Sequence, residues 1–104
     1  MIRAACVQMR STTAVAENIA AASALVRQAA EAGAVFIATP EMTNLLDIRP
    51  GMARPKIVAQ EDDAALVAFR ALAVELGVWL LLGSIAVTAE GDDRLANRSF
   101  LIAP

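Results

Sequence analysis

At 104 residues, the chain has room for one domain or for part of a larger one; 58% of it is hydrophobic and 19% charged, with a mean hydropathy of +0.55, more apolar material than a free-standing unit of this size readily hides. A net charge of −2 with no basic run argues against nucleic acid as a partner, and the absence of histidine excludes, within these residues, Ser-His-Asp and Cys-His catalysis and any histidine-held metal site. No membrane span or signal peptide is expected: Val78 to Val87, interrupted by Gly83 and Ser84, falls far below the roughly 20 residues a spanning helix needs, and Gln8 and Arg10 break any apolar leader after Met1-Ile2-Arg3.

In chain order, Ile2 to Met9 reads as a strand. Ser11-Thr12-Thr13 supplies N-cap residue types, and Val15, Ile19, Ala22, Val26 and Ala29 recur at the three- and four-residue steps of one helix face. Glu17 near the helix start suits its dipole, and Gly33 is the expected stop. Ala34 to Thr39 is a second strand, closed by Pro40 and followed at once by Glu41. Strand, helix and strand in about 40 residues is the size of a βαβ unit with parallel strands.

Met42 to Gln60 has a different texture. Asn44, Asp47, Pro50, Gly51 and Pro55 predict a long irregular connection with at most a short turn of helix, and connections of that length are usually functional. A second helix is predicted from near Glu61-Asp62-Asp63, through Leu66, Phe69, Ala73 and Leu76, to Gly77. Val78 to Leu82 then reads as a third strand, apolar on both faces as buried parallel strands are, which Ile85 to Thr88 either extends or follows. Glu90-Gly91-Asp92-Asp93 is turn chemistry, and Arg98 to Ile102 is a last strand.

Glu41 is the candidate of most interest. Ligands in open α/β sheets bind at the carboxyl ends of the strands, so a carboxylate placed there is a candidate general base; equally, a Pro-Glu pair after a strand is what a solvated loop looks like. Cys6 lies mid-strand with no neighbouring base and reads as an inert core cysteine. The lone thiol makes no internal disulfide, which fits a reducing cytoplasm. Asp62 and Asp63 are adjacent and so face different ways on a helix; they read as a helix start. Glu90, Asp92 and Asp93 lack calcium-loop spacing and read as a solvated turn. Arg49, Arg54 and Lys56 in the long loop are placed either to meet an acidic substrate or as ordinary surface charge, the second being the favoured reading, and Trp79 reads as core. The five glycines form neither a dinucleotide fingerprint nor a phosphate loop, so no cofactor is expected.

Taken together, Val7-Gln8-Met9, Asn18, Ala32-Gly33-Ala34, Pro40-Glu41, Leu76-Gly77-Val78, Leu82-Gly83-Ser84 and Leu95 to Ile102 resemble, in that order, the start of the nitrilase (carbon–nitrogen hydrolase) superfamily. The resemblance covers essentially the whole chain. The stretch Thr39 to Asp47 looks most similar to bacterial members of the deaminated-glutathione and ω-amidase branch.

The resemblance implies an α/β fold, the N-terminal half of a four-layer αββα sandwich, in which residues 1–104 are the N-terminal part of the domain. It implies a hydrolase of small amides with a Glu-Lys-Glu-Cys constellation: Glu41 as general base, Thr43 and Asn44 as substrate-binding residues, a lysine for the oxyanion, and a cysteine carrying a thioester. A carboxylate can do for a thiol what histidine does elsewhere, and a fixed cation stabilises developing negative charge. The family's lysine, second glutamate and cysteine follow the strand that ends this chain, and Lys56 and Cys6 occupy the wrong places to replace them. The expectations are therefore a chain inactive by itself, a sheet face left bare, and a homo-oligomer. The alternative is a non-catalytic α/β interaction or scaffold module.

Overall fold

A computed structural model describes every residue from Met1 to Pro104. Its strands are β1 (Ala4–Cys6), β2 (Phe36–Ala38), β3 (Trp79–Thr88) and β4 (Leu95–Ile102), and its helices are α1 (Val15–Glu31) and α2 (Ala64–Leu76). The strands form a single sheet in the order β1-β2-β3-β4. The first three are parallel and β4 returns antiparallel on β3. This is the mixed α/β architecture expected of a partial nitrilase-like fold.

The two crossovers place α1 and α2 against the same sheet face. Ala22 and Val26 of α1 join Leu66, Phe69, Leu72 and Ala73 of α2 and Ile37, Leu80, Leu82, Ile85 and Val87 of the sheet in one core. Each helix ends where its glycine takes a left-handed φ, at Gly33 (+90°) and Gly77 (+64°), a backbone state that costs other residues a Cβ clash. The first residue of α2 is Ala64, directly after the acid cluster that predicts its start. Glu61 and Asp62 lie in a 3-10 turn, and Asp63 alone is the cap, its Oδ1 accepting from Leu66 N at 2.8 Å. At α1 the cap position falls to Ala14 and not to the preceding hydroxyl residues; Thr12 Oγ1 instead accepts from Ala14 N.

The opposite sheet face carries no layer of this chain, and this corrects two expectations from sequence. Cys6, Ala38, Leu81 and Leu101 stand in register across the four strands, beside Ala4, Phe36 and Trp79. Trp79 is 44% exposed and Leu101 59%, and Cys6 is exposed. Neither Trp79 nor Cys6 is core. Strand alternation sends them to the side away from the helices, whereas a run apolar on both faces signals burial only when both faces are covered.

β3 continues through Gly83-Ser84 to Thr88, but its pairing with β4 slips between Leu82 and Ile85. An irregularity of this kind bends a strand and re-aims its side chains. It lies beside the carboxyl end of β2. The connection from Met42 onward is irregular apart from 3-10 turns at Arg54–Lys56 and Gln60–Asp62, and it is tied back to β3 by Thr88 N donating to Val58 O.

Candidate active site

The carboxyl ends of the parallel strands are built around one elbow, Thr39 to Asn44. Proline cannot donate to a ladder, so pairing of β2 ends at Thr39, whose N–H still donates to Leu81 O. After Glu41 the backbone at Met42 takes φ = +53°, a left-handed state that a non-glycine residue holds only when its surroundings impose it. Ser84 imposes it. The Met42 N–H donates to Ser84 Oγ at 2.9 Å and the Thr43 N–H to Ser84 O at 3.0 Å. On the other side of the elbow, Ser11 Oγ donates to Met42 O at 2.9 Å.

Gly83 makes the close approach possible. A Cβ there would meet the carbonyl group of Pro40, with the oxygen at 2.6 Å. The Gly83 N–H donates to Thr39 O at 3.1 Å, and Ser99 Oγ of β4 donates to Gly83 O. The peptide bearing Glu41 is thereby clamped from β3, which is in turn held from β4.

Glu41 itself is exposed. Its Oε1 accepts from Asn97 Nδ2 of β4 at 3.0 Å. Glu41 is one of the residues lining a cleft of about 480 Å³, with Met9, Arg10, Ser11, Pro40, Met42 and Leu46. A hollow of similar size, about 490 Å³, lies among Met1, Ile2, Arg3, Gly33 and Val35. That one is at the amino ends of the strands, away from Glu41.

Thr43 and Asn44 lie beneath the elbow, fully or almost fully buried. Thr43 Oγ1 is 2.6 Å from Pro40 O and 2.8 Å from Thr39 Oγ1. Asn44 Nδ2 donates to Asp63 Oδ2 and Ala86 O, and its Oδ1 accepts from Ala86 N at 3.1 Å. Asn44 O accepts from Asn18 Nδ2 of α1 at 2.9 Å. One buried amide thus joins the elbow to α1, to the cap of α2 and to β3. The polar atoms of both side chains are spent on the protein, whereas Glu41 is exposed.

The loop beyond is locked by Asp47. Its carboxylate accepts from Arg49 Nη2 at 2.7 Å and Lys56 Nζ at 2.8 Å, and hydrogen bonds from Arg49 first and Lys56 second hold it well below the usual carboxylate range. Arg49 and Lys56, read from sequence as surface charge, form this brace, and Lys56 also donates to Thr13 O at 2.8 Å. Arg54 caps the far turn through Asp93 O. Lys56 and Cys6 do not line the Glu41 cleft.

Four members of this arrangement were given no role from sequence: Arg10, Gly83, Ser84 and Asn97. Gly83-Ser84 inside an apolar strand carried a signal, since an isolated glycine in a strand marks a bulge or a close backbone approach. Asn97 and Arg10 carried none, because only tertiary pairing brings them to Glu41.

The sequence profile of the family described as carbon–nitrogen hydrolase matches residues 3–104. The chain belongs to the carbon–nitrogen hydrolase family. Comparison with curated proteins gives no match.

Proposed function

We propose that this chain supplies the general base, Glu41, to the hydrolysis of a small amide. What carries the reading is the clamped elbow: Gly83, Ser84 and Ser11 fix the backbone on both sides of Glu41, while Glu41 itself is exposed at the rim of the cleft. The left-handed backbone at Met42, next to the acid, is local strain of the kind that gathers at functional sites.

In the mechanism that the family resemblance implies, the Glu41 carboxylate takes the proton of a cysteine thiol and the thiolate attacks the amide carbon. The proton then passes to the departing amine as the C–N bond breaks, leaving a thioester. Water, deprotonated by Glu41, attacks that thioester and releases the acid and the thiol. Lysine and cysteine come from segments following β4 by the same resemblance, so residues 1–104 alone turn over no amide. Thr43 and Asn44 serve the substrate indirectly, by holding the elbow. A catalytic thiol needs a reducing compartment, which makes the cytoplasm the proposed location.

The bare sheet face, with Trp79 and Leu101 exposed in the middle of it, is proposed to be covered by protein, including a second copy of this chain, since apolar patches of this kind mark interaction surfaces. The reading as a non-catalytic interaction module rests on that same face but leaves the clamped elbow without a purpose.

The experiment is an amide-hydrolysis assay of the 104-residue chain and of a hydrolase containing it. The expected result is turnover only in the latter, abolished by Glu41→Gln. Turnover by the isolated chain, or full activity in the Glu41→Gln hydrolase, overturns the proposal.

A further inference from the structure

The buried residues of α1 are Asn18, Ala22 and Val26, at steps of four along one side of the helix. Ala22 and Val26 belong to the core. Asn18 stands in the same row with a polar side chain and is 1% exposed, although asparagine is a poor residue for a helix interior. None of its side-chain partners lies in α1. Its Oδ1 accepts from Thr12 N at 2.7 Å, and its Nδ2 donates to Thr12 O and to Asn44 O, each at 2.9 Å.

Thr12 is thereby gripped at both its N–H and its C=O, as a partner strand would grip it. The same carbonyl accepts from Leu46 N at 3.1 Å. On one side of Thr12, Ser11 Oγ donates to Met42 O. On the other, Lys56 Nζ joins Thr13 O to the Asp47 carboxylate. Ser11, Thr12 and Thr13 are thus stitched in succession to the loop after Glu41, and Asn18 is the buried group at the middle of the seam. The cleft that Glu41 lines is made by the two segments this seam joins, Met9 to Ser11 and Pro40 to Leu46.

We propose that Asn18 is a positioning residue for substrate in that cleft: through Thr12 it holds the first segment, and through Asn44 the second, at one fixed separation. A planar amide presents an acceptor and two donors together, so it meets one N–H and two carbonyls at once; a hydroxyl, a carboxylate or an apolar group of similar size does not. The acid is held separately, by Gly83, Ser84 and Asn97. Loss of Asn18 therefore alters the binding of substrate more than the chemistry performed on it. That substrate occupies this cleft rests on the reading of Glu41 as the base; the seam does not.

Hydrogen exchange and NMR of the 104-residue chain read the seam without any turnover. Asn18→Ala is expected to quicken exchange of the Leu46 N–H and to shift the Ser11 and Met42 amides. Val26→Ala, a cavity-forming change about two turns further along the same helix, is expected to destabilise the chain and leave those signals in place. In a hydrolase containing the chain, Asn18→Ala should raise KM about tenfold and change kcat less than about threefold, the pattern of lost binding. Asn18→Ser, whose hydroxyl replaces only part of the amide's bonding, should give an intermediate KM, and it carries the test if Asn18→Ala does not fold. Signals at Leu46 and Met42 that stay in place in a folded Asn18 variant, or that move as far in Val26→Ala, overturn the inference. So does an unchanged KM, and so does failure of both Asn18 variants to fold, which makes the residue a requirement of folding alone. Glu41→Gln separates the two readings: it leaves Leu46 exchange as it was, whereas full activity of that variant hydrolase overturns the base assignment and not the seam.

Discussion

Gly83 and Pro40 are in contact across β3 and the β2 elbow: a Cβ added to Gly83 would stand 2.6 Å from the Pro40 carbonyl oxygen. That carbonyl belongs to the peptide that carries Glu41. The position of the acid is therefore set by a residue 42 positions later, a spacing matched by the Met42–Ser84 hydrogen bond.

Gly83→Ala should displace the elbow, because the atoms it meets are backbone and not the yielding end of a side chain. Overpacking of this kind costs about 1–3 kcal/mol. The expected result is a lowered urea midpoint together with shifted resonances at Glu41 and Met42; an unchanged midpoint would count against the clamp.

Asn44→Ala should be among the most damaging single changes. It removes the partner of Ala86 N and Ala86 O and one partner of Asp63 Oδ2, all inside the protein. Each buried polar group left unpaired costs about 1–3 kcal/mol. Chemical denaturation should show a loss of about 3 kcal/mol or more for the whole substitution, with weakened hydrogen-exchange protection at Ala86.

Asn97→Ala should separate catalysis from stability. The Asn97–Glu41 contact is exposed, so stability should change by no more than about 0.5 kcal/mol. In a hydrolase containing this chain, kcat should fall about tenfold as the carboxylate loses its orientation, with KM nearly unchanged. Asn97→Asp should do more harm than Ala, because it replaces the donor by a second negative charge facing Glu41. Steady-state kinetics of the two variants decides this.

The loop brace should respond to acid. Asp47 is ionised in the folded chain well below its ordinary value of 3.8, because Arg49 and Lys56 donate to it. A carboxyl with a depressed folded value contributes stability fully above its unfolded value, and that contribution is lost as pH falls through the folded one. Hydrogen exchange at residues 46–49 should therefore quicken below about pH 4. The Asp47→Asn chain, lacking the brace at every pH, should exchange fast throughout and show no such step from this site.

Analytical ultracentrifugation addresses the bare sheet face. Self-association is expected, and Trp79→Ser together with Leu101→Ser should reduce it without disturbing the helix-side core, to which neither residue contributes. A well-behaved monomer at high concentration would remove the proposed assembly.

Much of the fold was legible because it is written in local chemistry. The α1 face from Val15 to Ala29, the glycine stops at Gly33 and Gly77, and the break at Pro40 each act within a few residues, so periodicity and turn preference reveal them. Glu41 was visible for the same reason, as the first acid after a strand. Trp79 and Cys6 were misplaced because apolar character does not say whether a second layer is present to cover a side chain. Ser11-Thr12-Thr13 misled at the α1 cap because several residue types there can turn the chain, and Thr12 satisfies the Ala14 N–H from one step further back.

The order of strands and helices, the carboxylate at the end of β2 and the family resemblance follow from the linear chain, because each depends on neighbours in sequence. The site follows from contacts between distant segments. Ser84 and Gly83 shape the elbow, Asn97 holds the acid, and Arg10 shares its cleft, at separations that no local preference encodes. Register across β2, β3 and β4 brings these residues together, and register is settled only when the helix-side core closes, since a slip of one residue would turn Ile37, Leu80 and Leu82 out of it.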